Sequence, residues 1–321
     1  MKKLLLASVA VSGLALAAAP AYAEVDLELG GYFKGYGAFS DTDANDSQFD
    51  IIRDTELHIG GETTLDNGLT VGAHFEIAVD GPDSSAVDES YLYFSGDWGR
   101  VNFGNEDGAA YLLQVAAPSA DSNLDGIRSF VSPFGTPGVD YAQDNTRGSD
   151  KFTYLSPIFS GFQVGASYTS TDDQADSGGL ATTTDSVMEA AVRYEGQFQN
   201  VGVIAGAGYS QAEDDADGFN VGLDLDIAAF GIGAAYLDED NGTTDTETLV
   251  VGADYTTGPF KLGASYLNSE VGTTSDTDRY TAGVVYNYGP GMSFRGSVQY
   301  IEEDVSDTDG TAVVLGTQVN F

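Results

Sequence analysis

Along most of this chain, apolar and polar residues alternate with a period of two. Leu69, Val71, Ala73, Phe75, Ile77 and Val79 are apolar, while Thr70, Gly72, His74 and Glu76 between them are small or polar. The same alternation sets Leu57 and Ile59 against Glu56 and His58, and Phe219, Val221, Leu223, Leu225 and Ile227 against Asn220, Gly222, Asp224 and Asp226. It returns where Tyr280, Ala282, Val284, Tyr286 and Tyr288 interleave with Arg279, Thr281, Gly283 and Asn287. This is the period of a β-strand with one greasy and one wet face. A helical reading fails, because Gly recurs inside nearly every segment and Gly and β-branched residues both disfavour helix. Sixteen strands are predicted, at 26–39, 51–65, 69–79, 88–95, 100–105, 150–157, 161–170, 186–196, 201–210, 217–228, 231–238, 246–256, 260–268, 278–289, 292–302 and 311–321.

The connections between these segments alternate between two kinds. Short ones, such as Asp66-Asn67-Gly68, Gly96-Asp97-Trp98-Gly99, Ala229-Phe230, Thr257-Gly258-Pro259 and Gly289-Pro290-Gly291, have hairpin-turn chemistry. The others are longer and rich in Asp, Ser, Thr and Gly, and the third of them, about 106–149, is the longest by far. Tight turns on one rim and long loops on the other predict an all-β fold: a 16-stranded antiparallel transmembrane β-barrel. Closure removes the sheet edges, which lipid has no groups to satisfy. On the apolar face, Phe33, Phe94, Phe103, Phe260, Tyr266, Phe294, Tyr300 and Phe321 lie near strand ends, where rings form interfacial girdles.

The first segment does not fit this scheme. Lys2 and Lys3 precede an apolar run over 4–19, and Ala21-Tyr22-Ala23 follows. This reads as a secretory signal peptide over 1–23, cleaved after Ala23, with the barrel domain over 24–321. The run is shorter than the roughly 20 residues a membrane-spanning helix needs. Zero Cys excludes disulfides and thiol chemistry. The chain carries 12 Lys+Arg against 50 Asp+Glu, a formal net charge of -38. Such a charge repels phosphate, so a nucleic-acid partner is not expected.

Charge placement tests the barrel, because an Arg or Lys facing mid-bilayer costs about 2–4 kcal/mol. Lys34, Arg193, Lys261, Arg279 and Arg295 share parity with small or polar neighbours, as do Glu56, Glu62, Glu76 and Glu89. Arg53 falls on the lipid-facing parity and is read as a headgroup or rim residue at the loop end of its strand. Parity also demands that His58 stand opposite Glu76 across the first tight turn, which requires a three-residue loop.

Several segments carry a family resemblance. The stretch Glu24-Val25-Asp26-Leu27-Glu28-Leu29-Gly30-Gly31-Tyr32-Phe33-Lys34-Gly35-Tyr36 resembles the first strand of Gram-negative general diffusion porins, particularly the alphaproteobacterial, Rhodobacter-type ones. Glu62-Thr63-Thr64-Leu65-Asp66-Asn67-Gly68-Leu69-Thr70-Val71-Gly72 is similar to their first periplasmic hairpin. Tyr91-Leu92-Tyr93-Phe94-Ser95-Gly96-Asp97-Trp98-Gly99-Arg100-Val101-Asn102-Phe103-Gly104-Asn105 resembles the approach to their third loop. Val319-Asn320-Phe321 is similar to the terminal signal for barrel assembly. The resemblance implies a homotrimer of water-filled pores in the outer membrane of a Gram-negative bacterium, with short periplasmic turns, long extracellular loops and a third loop folded inward to narrow the lumen. It further implies a constriction whose acidic side is drawn from Glu106, Asp107, Asp121, Asp125, Asp140 and Asp144, facing a basic side drawn from Lys34, His58 and His74. Family members place several arginines on that wall, whereas Lys34 is the one permanent cation there, with Arg193, Arg279 and Arg295 on later strands. Glu56, Glu62 and Glu76 add further lumen charge.

A low-dielectric lumen focuses the field of its lining, and a negative lining predicts a cation-preferring channel for small hydrophilic solutes. The rival reading is a substrate-specific channel, for example for sugars, because Tyr32, Tyr36, Tyr91 and Tyr93 share interior parity. An enzyme is not expected: both histidines lie on the pore-facing parity and no G-x-S-x-G motif occurs. A metal site from His58, His74 and Glu76 is the alternative, but they form no strong ligand-spacing motif, and an ordinary hydrogen-bonded pair of His58 with Glu76 is the favoured reading. No cofactor is expected. Acid runs such as Asp41-Thr42-Asp43 and Glu302-Glu303-Asp304 open the alternative of Ca2+ bridging the outer loops to lipopolysaccharide, against a favoured solvated, repulsive rim.

Overall fold

The computed structural model describes residues 25–43, 45–80, 87–119, 141–144, 146, 148–170, 186–213, 216–305 and 307–321. The leader over 1–23 and Asp121, Asp125 and Asp140 lie outside the described residues. The strands are β1 (Asp26–Thr42), β2 (Asn45–Thr64), β3 (Thr70–Asp80), β4 (Glu89–Gly96), β5 (Gly99–Asn105), β6 (Asp150–Leu155), β7 (Phe162–Thr169) and β8 (Val187–Phe198). They continue as β9 (Val201–Ala212), β10 (Asp217–Ile227), β11 (Phe230–Asp240), β12 (Asp245–Thr257), β13 (Phe260–Val271), β14 (Ser275–Gly289), β15 (Met292–Glu303) and β16 (Thr308–Asn320). Each pairs antiparallel with its sequence neighbours, and β1 pairs with β16, so the sheet closes into a barrel. The carboxyl-terminal residue completes that seam: Gly31 N donates to Phe321 O at 3.0 Å and Phe321 N to Gly31 O at 3.1 Å.

The alternation in the sequence becomes the two surfaces of this wall. Phe219, Val221, Leu223 and Ile227 point outward and are exposed, while Asn220 between them is buried. On a soluble protein such a belt would be an aggregation hazard, whereas around a barrel it meets hydrocarbon. Rings border it on both sides. Near the tight turns, Phe162 packs on Tyr194 and Phe230 on Tyr255 at 4.7 Å, and Phe260 packs on Tyr286 at 4.8 Å. Toward the long loops, Tyr266 lies 5.1 Å from Tyr280, and the Tyr266 hydroxyl donates to Asp278 at 2.6 Å. An apolar ring with a wet tip suits the membrane–water boundary.

The first tight turn has the expected register. His58 stands opposite Glu76 and Thr64 opposite Thr70, and Gly68, at φ 82, occupies the left-handed position of the Asp66-Asn67-Gly68 loop. The fifth turn differs by one residue. β10 ends at Ile227, which pairs with Phe230, so the turn is Ala228-Ala229 rather than Ala229-Phe230. Ala228 adopts φ 58, the left-handed conformation that a two-residue hairpin demands.

Strand lengths also depart from expectation. β2 runs for 20 residues and begins at Asn45, about twice what a tilted strand needs to cross the hydrocarbon. Arg53 therefore lies near the middle of β2 rather than at its end. It faces outward opposite Gly35, where the long strand has traversed a membrane's thickness from its turn.

Candidate functional site: the barrel lumen and its inward loop

The long third connection leaves β5 and turns into the barrel. Its first arm contains a single helical turn, α1 (Ala109–Leu112). Ala109, Ala110, Leu113, Val115 and Ala117 are buried, as is Tyr141 on the returning arm. They can lie there because the inward positions of the wall beneath are glycines. Gly206 of β9 pairs with Gly222 of β10, and Gly233 of β11 pairs with Gly252 of β12. A Cβ at Gly222 would strike the backbone of Val115, and one at Gly252 the backbone of Pro118. The arm then completes an interior cluster in which Ala117 and Tyr141 pack on Ala235, Leu237, Val250 and Leu267. The inward face is thus apolar beneath this part of the loop. A second such patch joins Tyr36 and Ala38 to Ala312 and Val314.

Polar contacts fix the arm's position. Glu189 of β8 accepts from Ser167 at 2.6 Å, from Thr146 at 3.0 Å and from the backbone of Ala110 at 3.4 Å. Gln143 donates to Ser210 at 2.7 Å and accepts from Asn220 at 2.5 Å, while Gln114 links both arms through Tyr141 O and Gln143 N. Buried polar side chains in so closed a network hold one arrangement, because each broken bond strands a partner away from water.

Of the acidic residues expected at the constriction, Glu106 sits at the loop's root. It is buried, and its two carboxylate oxygens accept from the Asn102 amide nitrogen, at 2.7 and 2.5 Å. Burial raises its carboxyl above the usual glutamate range, against the opposing pull of Asn102, Arg100 and Lys151. The ammonium of Lys151 donates to Glu106 O and, at 2.7 Å, to Ser149 O. Asp107 and Asp144 are half-buried in the same loop arms.

The facing wall, β1 to β5, is open to the lumen. Lys34 forms an ion pair with Asp54 at 3.1 Å and lies 4.2 Å over the Tyr32 ring. His58 Nε2 meets Glu56 at 2.5 Å, and His74 Nε2 meets Glu76 at 2.8 Å. Every member of the expected basic side thus stands against a carboxylate. Glu62 accepts from the Tyr93 hydroxyl at 2.6 Å. Among the later cations, Arg193 donates to Gln114 O at 3.0 Å and so holds the loop, Arg279 is buried in the wall, and Arg295 donates to Ser293 at 3.2 Å.

Sequence reasoning passed over Arg100, whose guanidinium stacks 3.9 Å from the Tyr93 centroid and donates to Asn102 at 2.6 Å. It also passed over Lys151, Glu189, Gln143 and Asn220. The available signal was the run of inward glycines on β9 to β12, which marks a surface against which another backbone can lie.

Comparison with known proteins settles what kind of barrel this is. The sequence profile of the Gram-negative porin family matches residues 7–306. The chain belongs to that family. It is a channel of the outer membrane rather than an enzyme, and small solutes cross it by diffusion. No curated protein sequence matches it. Among solved structures, it is similar to an anion-selective porin from Comamonas acidovorans, with a TM-score of 0.68 at 18% identity over 93% of this chain and 100% of that one. A mutant porin of Rh. blastica gives 0.60 at 19%, covering 92% and 100%, and the trimer form of OmpT from Vibrio cholerae gives 0.62 at 16%, covering 92% and 99%. At these identities the likeness is one of fold.

Proposed function

We infer that this porin prefers cations. The observation that carries the reading is the pairing on the open wall: Lys34, His58 and His74 each face a carboxylate, and the exposed Glu62 adds negative charge beside them. Further inward acids, Asp224, Asp226 and Asp254, have Lys261 as a neighbouring cation, 3.0 Å from Asp254. A water-filled lumen with this lining concentrates cations. The test is the reversal potential of the refolded protein in a planar bilayer across a KCl gradient at neutral pH. A potential of the sign set by potassium is expected, and one set by chloride overturns the reading.

The constriction lies between this wall and the docked arms of the third loop, and the mature barrel starts after cleavage at Ala23, which amino-terminal sequencing of the exported protein would test. The functional unit is a homotrimer, in keeping with the trimer form of the Vibrio cholerae neighbour, and cross-linking of the unheated protein to a three-chain species tests it. A second reading, a channel with a sugar track, draws on the contiguous rings along the open wall. Tyr32 lies 6.1 Å from His58, His58 5.9 Å from His74, and His74 5.4 Å from Tyr91. Tyr36 is not part of that track, being buried against Ala312 and Val314. Sugar flux into liposomes that saturates with concentration would favour this second reading, and linear flux the first.

A further inference from the structure

We propose that His58, His74 and Glu76 form a binding site for a divalent transition-metal ion of the Zn2+ class on the lumen wall. The three come together through strand geometry. His74 and Glu76 are two apart on β3 and so share a face, and the register places His58 of β2 opposite Glu76. Their ligand atoms all lie within 4.8 Å of one another. Glu76 Oε1 is 2.8 Å from His74 Nε2 and 3.6 Å from His58 Nδ1. Two donors on a tetrahedral zinc ion, each bonded at about 2.0–2.1 Å, stand about 3.3 Å apart. The two separations from Glu76 bracket that value.

The hydrogen bonding around the trio points the same way. His58 Nε2 is taken up by Glu56 Oε1 at 2.5 Å. With Nε2 engaged by Glu56, Nδ1 is the ring nitrogen of His58 that faces Glu76, at 3.6 Å. Glu56 then acts as the carboxylate that orients a metal-bound imidazole through its far nitrogen. The rings are further braced by Tyr32 against His58 and Tyr91 against His74. Across the strands, the neighbours are Gly30 opposite His58 and Gly60 opposite His74, which keep the space before the rings clear. The side chains of His58, His74 and Glu76 are 34%, 25% and 20% exposed, so an ion reaches them from the lumen and keeps a position for water.

Two imidazoles and one carboxylate select zinc, nickel or copper over magnesium or calcium, which favour oxygen alone. An all-carboxylate set, Glu56, Glu76 and Asp88, lies alongside and shares Glu76, so the test must separate the two. The site rests on the lumen being open to water, but binding is read without passing current. The untagged, refolded full barrel is titrated in detergent at about pH 7.5 with Zn2+ against a chromophoric chelator, with and without excess Ca2+. Saturable uptake of one Zn2+ per protomer that excess Ca2+ does not displace is expected. His58→Ala and His74→Ala should each abolish it, and Glu56→Gln, which leaves His58, His74 and Glu76 in place, should weaken it by about tenfold. Displacement by Ca2+, uptake that survives both histidine substitutions, or no saturable uptake by the natural chain would each overturn the proposal. The Ca2+ comparison needs no variant, so it holds even where a variant fails to refold. A barrel that binds Zn2+ yet prefers chloride would contradict the cation-preferring channel and leave this site standing.

Discussion

The wall of β1 to β5 and the wall of β8 to β12 obey the same alternation, yet their inward positions do opposite work. On the first, inward residues are large, charged or aromatic, and they stand in the lumen: Lys34, His58, His74, Tyr91 and Arg100. On the second, the inward row includes the glycine pairs Gly206–Gly222 and Gly233–Gly252, and the third loop lies directly on them. Period two decides which side of the barrel a residue faces. Side-chain size then decides whether that side is a channel wall or a bed for another piece of chain.

The sharpest way to break this contrast is to give the bed a side chain. Gly222→Ala would push into the Val115 backbone, and overpacking of this kind costs about 1–3 kcal/mol or more. The loop should lift, which single-channel recording would register as a larger conductance and proteolysis as new cleavage between 106 and 149. Gly60→Ala on the open wall is the matching control. There a Cβ meets nothing closer than 3.7 Å, so conductance should stay unchanged. Equal responses from the two variants would deny that the walls differ.

Next in size is the loss of an anchoring carboxylate. Glu189→Ala strands Ser167, Thr146 and the Ala110 amide, and hydrogen bonds to a buried charge are worth about 1.5–3 kcal/mol. Glu62→Ala removes an acid of the open wall that is exposed and bonded only to Tyr93 among the hydrogen bonds described, and should change stability by less than about 0.5 kcal/mol. Urea unfolding of the two variants in detergent micelles would rank them. If Glu62→Ala proved the more damaging, the anchoring role of Glu189 would fall.

These two predictions differ in how far the sequence could have led to them. The open wall was readable because its logic is local. Parity placed His58 opposite Glu76 and fixed the three-residue turn without any knowledge of the rest of the chain. The bed was not, because its bonds join residues far apart in sequence. Asn220 donates to Ala110 O across 110 positions, and no periodicity encodes such a contact. The same limit explains Glu106. Resemblance to the family assigned it to an acidic face of the constriction, but only the folded chain shows it packed beneath Asn102 and Lys151 at the loop's root. Arg53 was misplaced along its strand for a simpler reason. The stretch 45–50, polar except for Phe49, reads as loop, yet it pairs with β1, and one apolar residue is too little alternation to reveal a strand.

A smaller effect would sharpen the electrical side of the comparison. Arg100 belongs to the open wall, where its stacking on Tyr93 is worth about 0.5–1 kcal/mol. Arg100→Ala also strands the buried Asn102 carbonyl, so it should cost about 1–3 kcal/mol of stability, and it should move the reversal potential further toward potassium, since one cation leaves the lumen. A shift toward chloride would contradict the assignment of Arg100 to the lumen field.

The smallest expected effect lies at the junction of the two walls. Because burial holds the Glu106 carboxyl above the ordinary glutamate value, the docked loop favours its protonated form. For a group raised in the folded state, its contribution to stability is fully present below the unfolded value of about 4.3 and is lost as pH rises through the folded value. Glu106→Gln keeps a neutral side chain at every pH and escapes that loss. The variant's unfolding temperature should therefore match the natural chain's near pH 4 and exceed it once the pH has risen through the folded value, by less than the change produced at Glu189. A gap that narrowed with rising pH would mean that Arg100 and Lys151 outweigh desolvation and that the root of the loop is held by an ionised carboxylate instead.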